Sequence, residues 1–434
     1  MRNSPETECA TCYFGGTRGG DPPRTGNRSC IPAANRDSVS RFGLMSMANI
    51  ETFNQLKYEV AEWRRYLHQN PELDYRLPNT ARFVAEKLAS FGINHIETGI
   101  AETGIVALIQ GEGGDGPTIG LRADMDALPI VEASGKPWSS KVHGHMHACG
   151  HDGHTAMLLG AAKYLASTRT FKGTVALIFQ PAEEVELPSG GLKMVQEGIM
   201  ERFGISEVYG MHIEPGMDIG KFGIRSGPVM GSQDDFDIVI KGKGGHAAVP
   251  HETVDPVTIA AQVILGLQTL ISRKTDPLDS LVLSVTKLNA AQAYNIIPDQ
   301  VEISGTVRTL KASLQDFAER EIPRIADGIA RAFGAEIQFQ YLRSVPVTYN
   351  HPDETRKASA AAHDLVGASA VDDAVKIHLG AEDFSYMLQA RPGSFVFLGN
   401  GPTAACHNPA FDFDDEALPY GIGYWVKLVE TVLS

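Results

Sequence analysis

From about residue 50 onwards, apolar positions recur with the spacings of helices and strands in alternation. The first predicted helix ends at Asn70-Pro71 and has apolar residues three or four positions apart on one face: Phe53, Leu56, Val60, Trp63 and Leu67. The pattern then predicts strands over 105–109, 118–121, 174–179 and 208–211, alternating with helices over 154–165 and 191–197. This alternation is typical of an α/β sheet that is flanked by helices on both faces.

A different order of elements begins near residue 226. The pattern predicts strands over 236–240, 281–288, 301–309 and 335–339 and helices over 256–271 and 314–333. A β-α-β-β-α-β unit of this length is a ferredoxin-like α+β domain. We therefore expect a larger α/β domain in two parts, 47–225 and 344–434, with an inserted domain over 226–343.

Residues 1–46 have no hydrophobic period and are rich in Gly, Pro, Arg, Ser and Asn, which predicts a disordered extension. Cys9 and Cys12 have the CxxC spacing of metal and redox motifs, but no second CxxC follows, which favours a disordered tail. No apolar segment follows Met1, and no apolar run approaches the roughly 20 residues that span a bilayer. We therefore expect a cytoplasmic protein.

Composition narrows the class of partner. The chain carries 38 Lys and Arg against 52 Asp and Glu, a net charge of −14. Such a surface repels nucleic acid and anionic membranes, so neither is an expected partner. Five cysteines in 434 residues do not make a disulfide scaffold.

The candidate chemistry is concentrated in one segment that precedes a predicted helix. Five of the 14 histidines fall there: His143, His145, His147, His151 and His154. Cys149 and Asp152 lie between them in the sequence. Imidazoles with a thiolate and a carboxylate are good ligands for divalent metal ions. Cys149 could instead be a nucleophile paired with histidine, but carboxylates dominate the other polar clusters.

Further polar side chains follow predicted strands, at the edge where α/β sheets place their sites. Glu183-Glu184 follows the strand over 174–179, and His212 follows the strand over 208–211. Asp124 and Asp126 end another strand on one face, where they could bind metal or orient a histidine. His407 lies late in the chain. Taken alone, an acidic pair such as Glu183-Glu184 is more often part of a solvated loop. A single histidine such as His212 or His407 is more often hydrogen-bonded than bound to a metal ion.

Five motifs in this order resemble the M20 metallopeptidase family: Arg122-Ala-Asp-Met-Asp-Ala-Leu-Pro129, His147-Ala-Cys-Gly-His-Asp-Gly-His154, Gln180-Pro-Ala-Glu-Glu184, Gly244-Gly-His-Ala-Ala-Val-Pro-His251 and Gly380-Ala-Glu-Asp-Phe384. The chain is most similar to its amidohydrolase branch of hippurate hydrolases, N-acyl-amino-acid amidohydrolases and auxin-conjugate hydrolases. The resemblance covers about residues 50–434.

The resemblance implies two divalent metal ions per subunit, Mn²⁺ or Zn²⁺ with Co²⁺ or Ni²⁺ as alternatives. It implies five metal ligands, with the cysteine bridging: Cys149, His151, Glu184, His212 and His407. Glu183 would be the general base, and Asp126 would support the site. The wider family uses an aspartate as the bridge and a histidine where Asp124 stands, which leaves the roles of Asp124 and His147 open.

The inserted domain resembles the family's lid or dimerisation domain. By this resemblance His246 polarises the scissile carbonyl of the substrate or stabilises the oxyanion, and in related dimers it reaches the site of the partner subunit. Asn295 and Arg308 resemble the lid residues that bind polar groups of the substrate, and an Arg suits a free carboxylate. Arg308 could equally be a solvent-facing charge on a strand. We expect a homodimer or homotetramer.

The resulting prediction is metal-dependent hydrolysis of the amide bond of small N-acyl amino acids such as benzoylglycine, N-acetyl or indole-acyl conjugates. A dipeptidase or carboxypeptidase of the same family is the alternative within enzymes. A metal-binding protein without turnover and a thiol enzyme that uses Cys149 are further alternatives.

Overall fold

The computed structural model describes residues 49–290 and 293–434. The predicted disordered extension, with Cys9 and Cys12, lies outside these residues. The helices of the described part are α1 (Ile50–Asn54), α2 (Lys57–Gln69), α3 (Pro78–Ser90), α4 (His151–Thr168), α5 (Gly190–Gln196), α6 (Ile199–Arg202), α7 (Pro256–Thr269), α8 (Ala312–Ala332), α9 (Pro352–Val366), α10 (Ser385–Ala390) and α11 (Leu418–Val432).

The strands are β1 (His95–Ile100), β2 (Gly104–Gln110), β3 (Thr118–Asp124), β4 (Thr174–Gln180), β5 (Ile205–Glu214), β6 (Phe222–Gly223), β7 (Gly227–Met230), β8 (Gln233–Lys241), β9 (Gly245–His246), β10 (Leu281–Asn289), β11 (Ile296–Ile297), β12 (Gln300–Thr309), β13 (Glu336–Val345), β14 (Thr348–Asn350), β15 (Val371–Asp372) and β16 (Gly393–Gly399). A π-helix over Leu270–Lys274 continues α7.

Eight of these strands form one mixed sheet in the order β1-β2-β4-β3-β5-β16-β6-β15. Its central strands are buried on both faces because side chains alternate between two apolar layers. In β4, Val175, Leu177 and Phe179 pack with α2, α4 and α11, while Ala176 and Ile178 face the layer that contains α5, α6 and α10. The prediction of an α/β sheet with helices on both faces is confirmed.

A second sheet has four antiparallel strands in the order β10-β12-β8-β13. One face packs against α7 and α8, where Phe236, Ile238 and Ile240 of β8 meet Val263 and Ile322. The element order, β8-α7-β10-β12-α8-β13, is the predicted β-α-β-β-α-β unit. The boundaries of the inserted domain stay a prediction.

Several element bounds differ from the predicted ones. β13 runs to Val345, beyond the predicted strand, and β5 begins at Ile205 and ends at Glu214. His212 therefore lies within a strand rather than after it. β3 ends at Asp124, so Asp126 lies two residues beyond it. In the described ranges, no helix is long and apolar enough to cross a membrane.

Candidate metal centre

The candidate site lies at one edge of the large sheet. β4, β3, β5 and β16 are parallel neighbours, so their carboxyl ends meet there. Glu184 follows β4, His212 lies near the end of β5, and His407 is in the loop after β16. Cys149 and His151 reach the same edge because α4 begins there, with Gly150 at its N-cap in a left-handed conformation (φ 88°).

Two groups of potential metal ligands share one thiol. The first is Cys149, His151 and His212, and the second is Cys149, Glu184 and His407. Within each group the ligand atoms lie within 4.8 Å of one another. The Cys149 Sγ is 3.3 Å from the His212 Nε2, and the His407 Nε2 is 3.2 Å from a Glu184 carboxylate oxygen. The structure therefore brings together all five predicted ligands, with Cys149 between the two groups.

Hydrogen bonds fix which nitrogen of each imidazole is free. The His151 Nδ1 donates to the Asp126 carbonyl at 2.9 Å, and the His212 Nδ1 donates to the Ile213 carbonyl at 2.6 Å. Because a carbonyl can only accept, both Nδ1 atoms carry a proton, and in the neutral imidazole that binds a metal ion each Nε2 keeps a lone pair. His154 differs, since its Nδ1 bonds to Asp124 at 2.7 Å and its Nε2 accepts the Ile213 N–H at 3.0 Å.

These residues fit divalent metal ions. The His151 Nε2 is buried without a hydrogen-bond partner in the described part of the chain, although buried polar atoms are rarely unpaired. A metal ion would satisfy this lone pair. A mixed set of thiolate, imidazole and carboxylate donors suits Zn²⁺ and also admits Mn²⁺, Co²⁺ or Ni²⁺.

Glu183 lies beside the ligand groups. Its carboxylate is within 4.8 Å of potential ligand atoms on His151 and Glu184, and also of those on Glu382 and Asp383. Burial, followed by the charges of Glu382 and Glu184, raises the pKa of Glu183 well above its usual value. The proton affinity of this side chain is therefore increased, as a general base requires.

Arg122 joins the carboxylates behind the site. Its buried guanidinium donates to Asp124 at 2.7 Å and to Asp383 at 2.9 Å, and it lies 2.9 Å from Glu382. Arg122, Glu382 and Asp383 lie in motifs that carry the family resemblance, but no role was predicted for them. Because buried charges need partners, the charged motif on a buried strand was the feature of the sequence that could have indicated this cluster.

The structure shows the surroundings of Asp124 and His147, whose roles the resemblance left open, and of the neighbouring Asp126. The Asp124 carboxylate is 3.8 Å from the His151 Nε2, and that of Asp126 is 3.4 Å from the His151 Nδ1, so both face one imidazole. Asp126 also accepts the backbone N–H of Glu184 at 3.0 Å. His147 is buried, its pKa is lowered to about 3 chiefly by burial, and it belongs to no group of three potential ligands in the described ranges.

One cavity is lined by four of the five candidate ligands, His212 among them, and by a predicted substrate residue. It measures about 1190 Å³ and is lined by Cys149, Glu183, Glu184, His407 and Arg308, the last from the four-stranded sheet. Arg308 donates to Gln233 at 2.8 Å. His246 and Asn295 do not join this cavity, since they line a separate one of about 390 Å³. Within one chain, the structure does not bring them to the metal ligands.

A second cysteine, Cys406, also lines the larger cavity next to His407. Interaction with the thiol of Cys406, followed by burial, raises the pKa of Cys149 well above its usual value, and interaction with Cys149 lowers the pKa of Cys406. Sequence reasoning assigned no role to Cys406. Nothing in the sequence near residue 149 indicated that a thiol more than 250 residues away lies beside it.

Comparison with curated proteins finds relatives along most of the chain. It is 41% identical over 372 residues to an N-acetylcysteine deacetylase of Bacillus subtilis, covering 86% of this chain and 96% of that protein. It is 39% identical to a hippurate hydrolase of Campylobacter jejuni, covering 86% and 96%. It is also 39% identical to a thermostable carboxypeptidase of Saccharolobus solfataricus, covering 84% and 93%.

A solved structure of a dinuclear metal-binding M20 peptidase from Bacillus subtilis superposes with a TM-score of 0.78 at 37% identity. The match covers 88% of this chain and 99% of that one. The model of peptidase family M20/M25/M40 matches residues 120–431, a range that contains all five candidate ligands. The chain therefore belongs to peptidase family M20/M25/M40.

Proposed function

We propose that the protein hydrolyses the amide bond of N-acyl amino acids, releasing a carboxylic acid and a free amino acid. The observation that carries this proposal is the pair of ligand groups sharing Cys149, four of whose five members line one cavity with Glu183 and Arg308. The names of the deacetylase and hippurate hydrolase relatives support the same class of substrate.

In this proposal the five candidate ligands would hold two divalent metal ions, and Cys149 would contribute to both ligand groups. When bound, such ions act as Lewis acids toward a water molecule and the substrate carbonyl. Asp126 holds His151 and the backbone of Glu184 and so positions one ligand from each group. Mn²⁺ and Zn²⁺ are the metals we expect, with Co²⁺ and Ni²⁺ as alternatives.

Glu183 is the proposed general base. Its carboxylate takes a proton from the attacking water and delivers it to the nitrogen of the leaving amine, so one side chain serves both transfers. The increased proton affinity of Glu183 suits this role. Arg308 is the proposed partner of the free carboxylate of the amino acid, because it lines the same cavity and is half-buried.

His246 and Asn295 are proposed to complete the site of a second subunit. They share one small cavity near the start of β9 and β11, away from the ligand groups of their own chain. In a homodimer or homotetramer, His246 of one subunit would stabilise the oxyanion formed in its partner. A cytoplasmic location completes the proposal.

The test is amino-acid release by metal-stripped protein after Mn²⁺ or Zn²⁺ is restored. Benzoylglycine, N-acetyl amino acids and an indole-acyl conjugate are compared with simple dipeptides. Metal-dependent release from the acyl substrates is the expected result. Metal binding without release from any substrate would contradict the proposal and favour a non-catalytic metal-binding protein.

A peptidase activity at the same site is the second candidate, because one relative carries the name of a carboxypeptidase. A free carboxylate is common to both classes of substrate, so Arg308 serves either. Release from dipeptides alone would move the function to this class.

A further inference from the structure

Cys149 and Cys406 form a pair of thiols at the metal centre. They are the free cysteines of the described residues, and both line the large cavity. The backbone N–H of His407 donates to the carbonyl of Ala148 at 2.8 Å, which holds the segment with Cys406 alongside the segment with Cys149. The two cysteines therefore lie on neighbouring, hydrogen-bonded segments of backbone at a fixed point of the fold.

Of these two thiols, Cys149 is a candidate metal ligand and Cys406 is not. Cys149 belongs to both ligand groups, whereas Cys406 belongs to no group of three potential ligands in the described ranges. Both side chains are partly exposed and line the large cavity, so a small molecule in solvent can reach them. Cys406 thus places an accessible second sulfur beside a proposed ligand without adding to the ligand set.

We propose that Cys149 and Cys406 form a reversible disulfide that switches the metal centre off. The proposal rests on the proposed function, because it matters only if Cys149 holds the metal ions. A thiolate is the ligand form of cysteine, and a disulfide sulfur carries no charge to offer a cation. Since Cys149 is shared by both ligand groups, one disulfide weakens both metal sites together.

The oxidant is a hydroperoxide. It transfers one oxygen to a thiolate as its O–O bond breaks, giving a sulfenic acid, and the remaining oxygen leaves with a proton as water or an alcohol. The second thiol then attacks the sulfenic sulfur, the S–S bond forms, and a molecule of water leaves. The two cysteines lose two electrons and two protons in total, which the hydroperoxide accepts. A dithiol reductant reverses the change by exchange.

The test uses the full chain, stripped of metal and treated with diamide, which converts pairs of thiols to disulfides. We expect a mass lower by about 2 Da per disulfide and a tryptic peptide in which Cys149 is linked to Cys406. Peptide mapping is required because Cys9, Cys12 and Cys30 are also oxidisable. After loading with Zn²⁺, metal bound per chain should fall by about tenfold, and dithiothreitol should restore it.

The Cys406→Ser variant should keep its metal content after diamide, while the control Cys30→Ser should lose it as the unmodified protein does. Absence of the linked peptide, or a linked protein with unchanged metal content, would overturn the switch. Equal metal loss in Cys406→Ser would also overturn it. Amide hydrolysis by the untreated protein is measured in parallel. A reversible link with metal loss in a protein that hydrolyses no substrate would support the switch and contradict the proposed function.

Discussion

At the scale of single residues, Glu183 and Glu184 are neighbours with different surroundings. Glu184 lies with Cys149 and His407 in one ligand group, whereas Glu183 also faces Glu382 and Asp383. The direction of each side chain is set by the turn after β4, where Ala182 has a positive φ of 54°. Adjacent carboxylates can therefore serve two chemical roles.

We expect Glu183→Gln to lower kcat by about 100- to 10,000-fold while both metal ions stay bound, because the variant loses the proton acceptor only. Glu184→Gln should instead reduce the metal content. Metal analysis and initial rates measure the two effects. Glu112→Gln is the matched control, since Glu112 is exposed, does not line the large cavity and belongs to no ligand group of the described residues. Near-normal turnover of Glu183→Gln would contradict the assignment.

His68 lies buried beside the site, 2.9 Å from Asp152 and 3.3 Å from Glu132. Burial alone would lower its pKa, but the charge of Asp152 and the hydrogen bonds to Asp152 and Glu132 outweigh it and raise the pKa to about 9. The usual value is 6.5. Protonated His68 therefore contributes its full stability below pH 6.5, and this contribution is lost as the pH rises through about 9.

The expected cost of His68→Gln is about 3 kcal/mol of unfolding free energy near pH 6, and much less near pH 10. Urea unfolding at both pH values measures it. His363→Gln is the control, because His363 pairs with Asp373 at 2.8 Å but is partly exposed, and it should cost about 0–1 kcal/mol. A cost of His68→Gln that does not change with pH would contradict the raised pKa of His68.

At the scale of elements, the start of α4 determines where two ligands lie. A Cβ atom on Gly153 would lie 2.0 Å from the Cε2 of the buried Phe413. The helix and the loop after β16 are therefore packed too closely at this point to admit a side chain on residue 153. His151 is two residues away. The position of one ligand therefore depends on the absence of a side chain at Gly153.

Gly153→Ala should destabilise the protein by about 1–3 kcal/mol because the added methyl displaces α4 or Phe413. It should also weaken metal binding. Gly328→Ala on α8 is the control, since its Cβ would meet nothing within 4 Å, and it should stabilise by about 0.5–1 kcal/mol. Thermal unfolding and metal titration test both variants. Unchanged stability of Gly153→Ala would show that Phe413 yields without cost.

Periodicity predicted most elements of the fold, and the exceptions have physical causes. β2 and β4 are continuous apolar runs in the middle of a sheet, which sequence patterns detect well. β1 was not predicted because it lies at the edge of the sheet and only Ile100 is buried, so no alternation exists. The ligands near residue 150 were predictable because they are crowded together. The partnership of Arg122 and Asp383 was not, because it joins residues 261 apart.

At the scale of the whole molecule, the separation of His246 from the ligand groups predicts an assembly. If His246 acts in the partner subunit, Glu183→Gln and His246→Ala each disable a site, but a mixed dimer keeps one intact site. Mixing the two inactive variants under conditions of subunit exchange should therefore restore about a quarter of the original activity. Sedimentation establishes the size of the species. No recovery on mixing, or full activity of a monomer, would contradict the shared site.

The two ligand groups also differ in how much of the chain they span. Cys149, His151 and His212 lie within 64 consecutive residues, whereas the second group needs His407, which is 195 residues after His212. During synthesis at about 5–20 residues per second, the first group therefore emerges from the ribosome about 10–40 s before the second can exist. A nascent chain can capture one cation early, and the other site closes only after His407 has emerged.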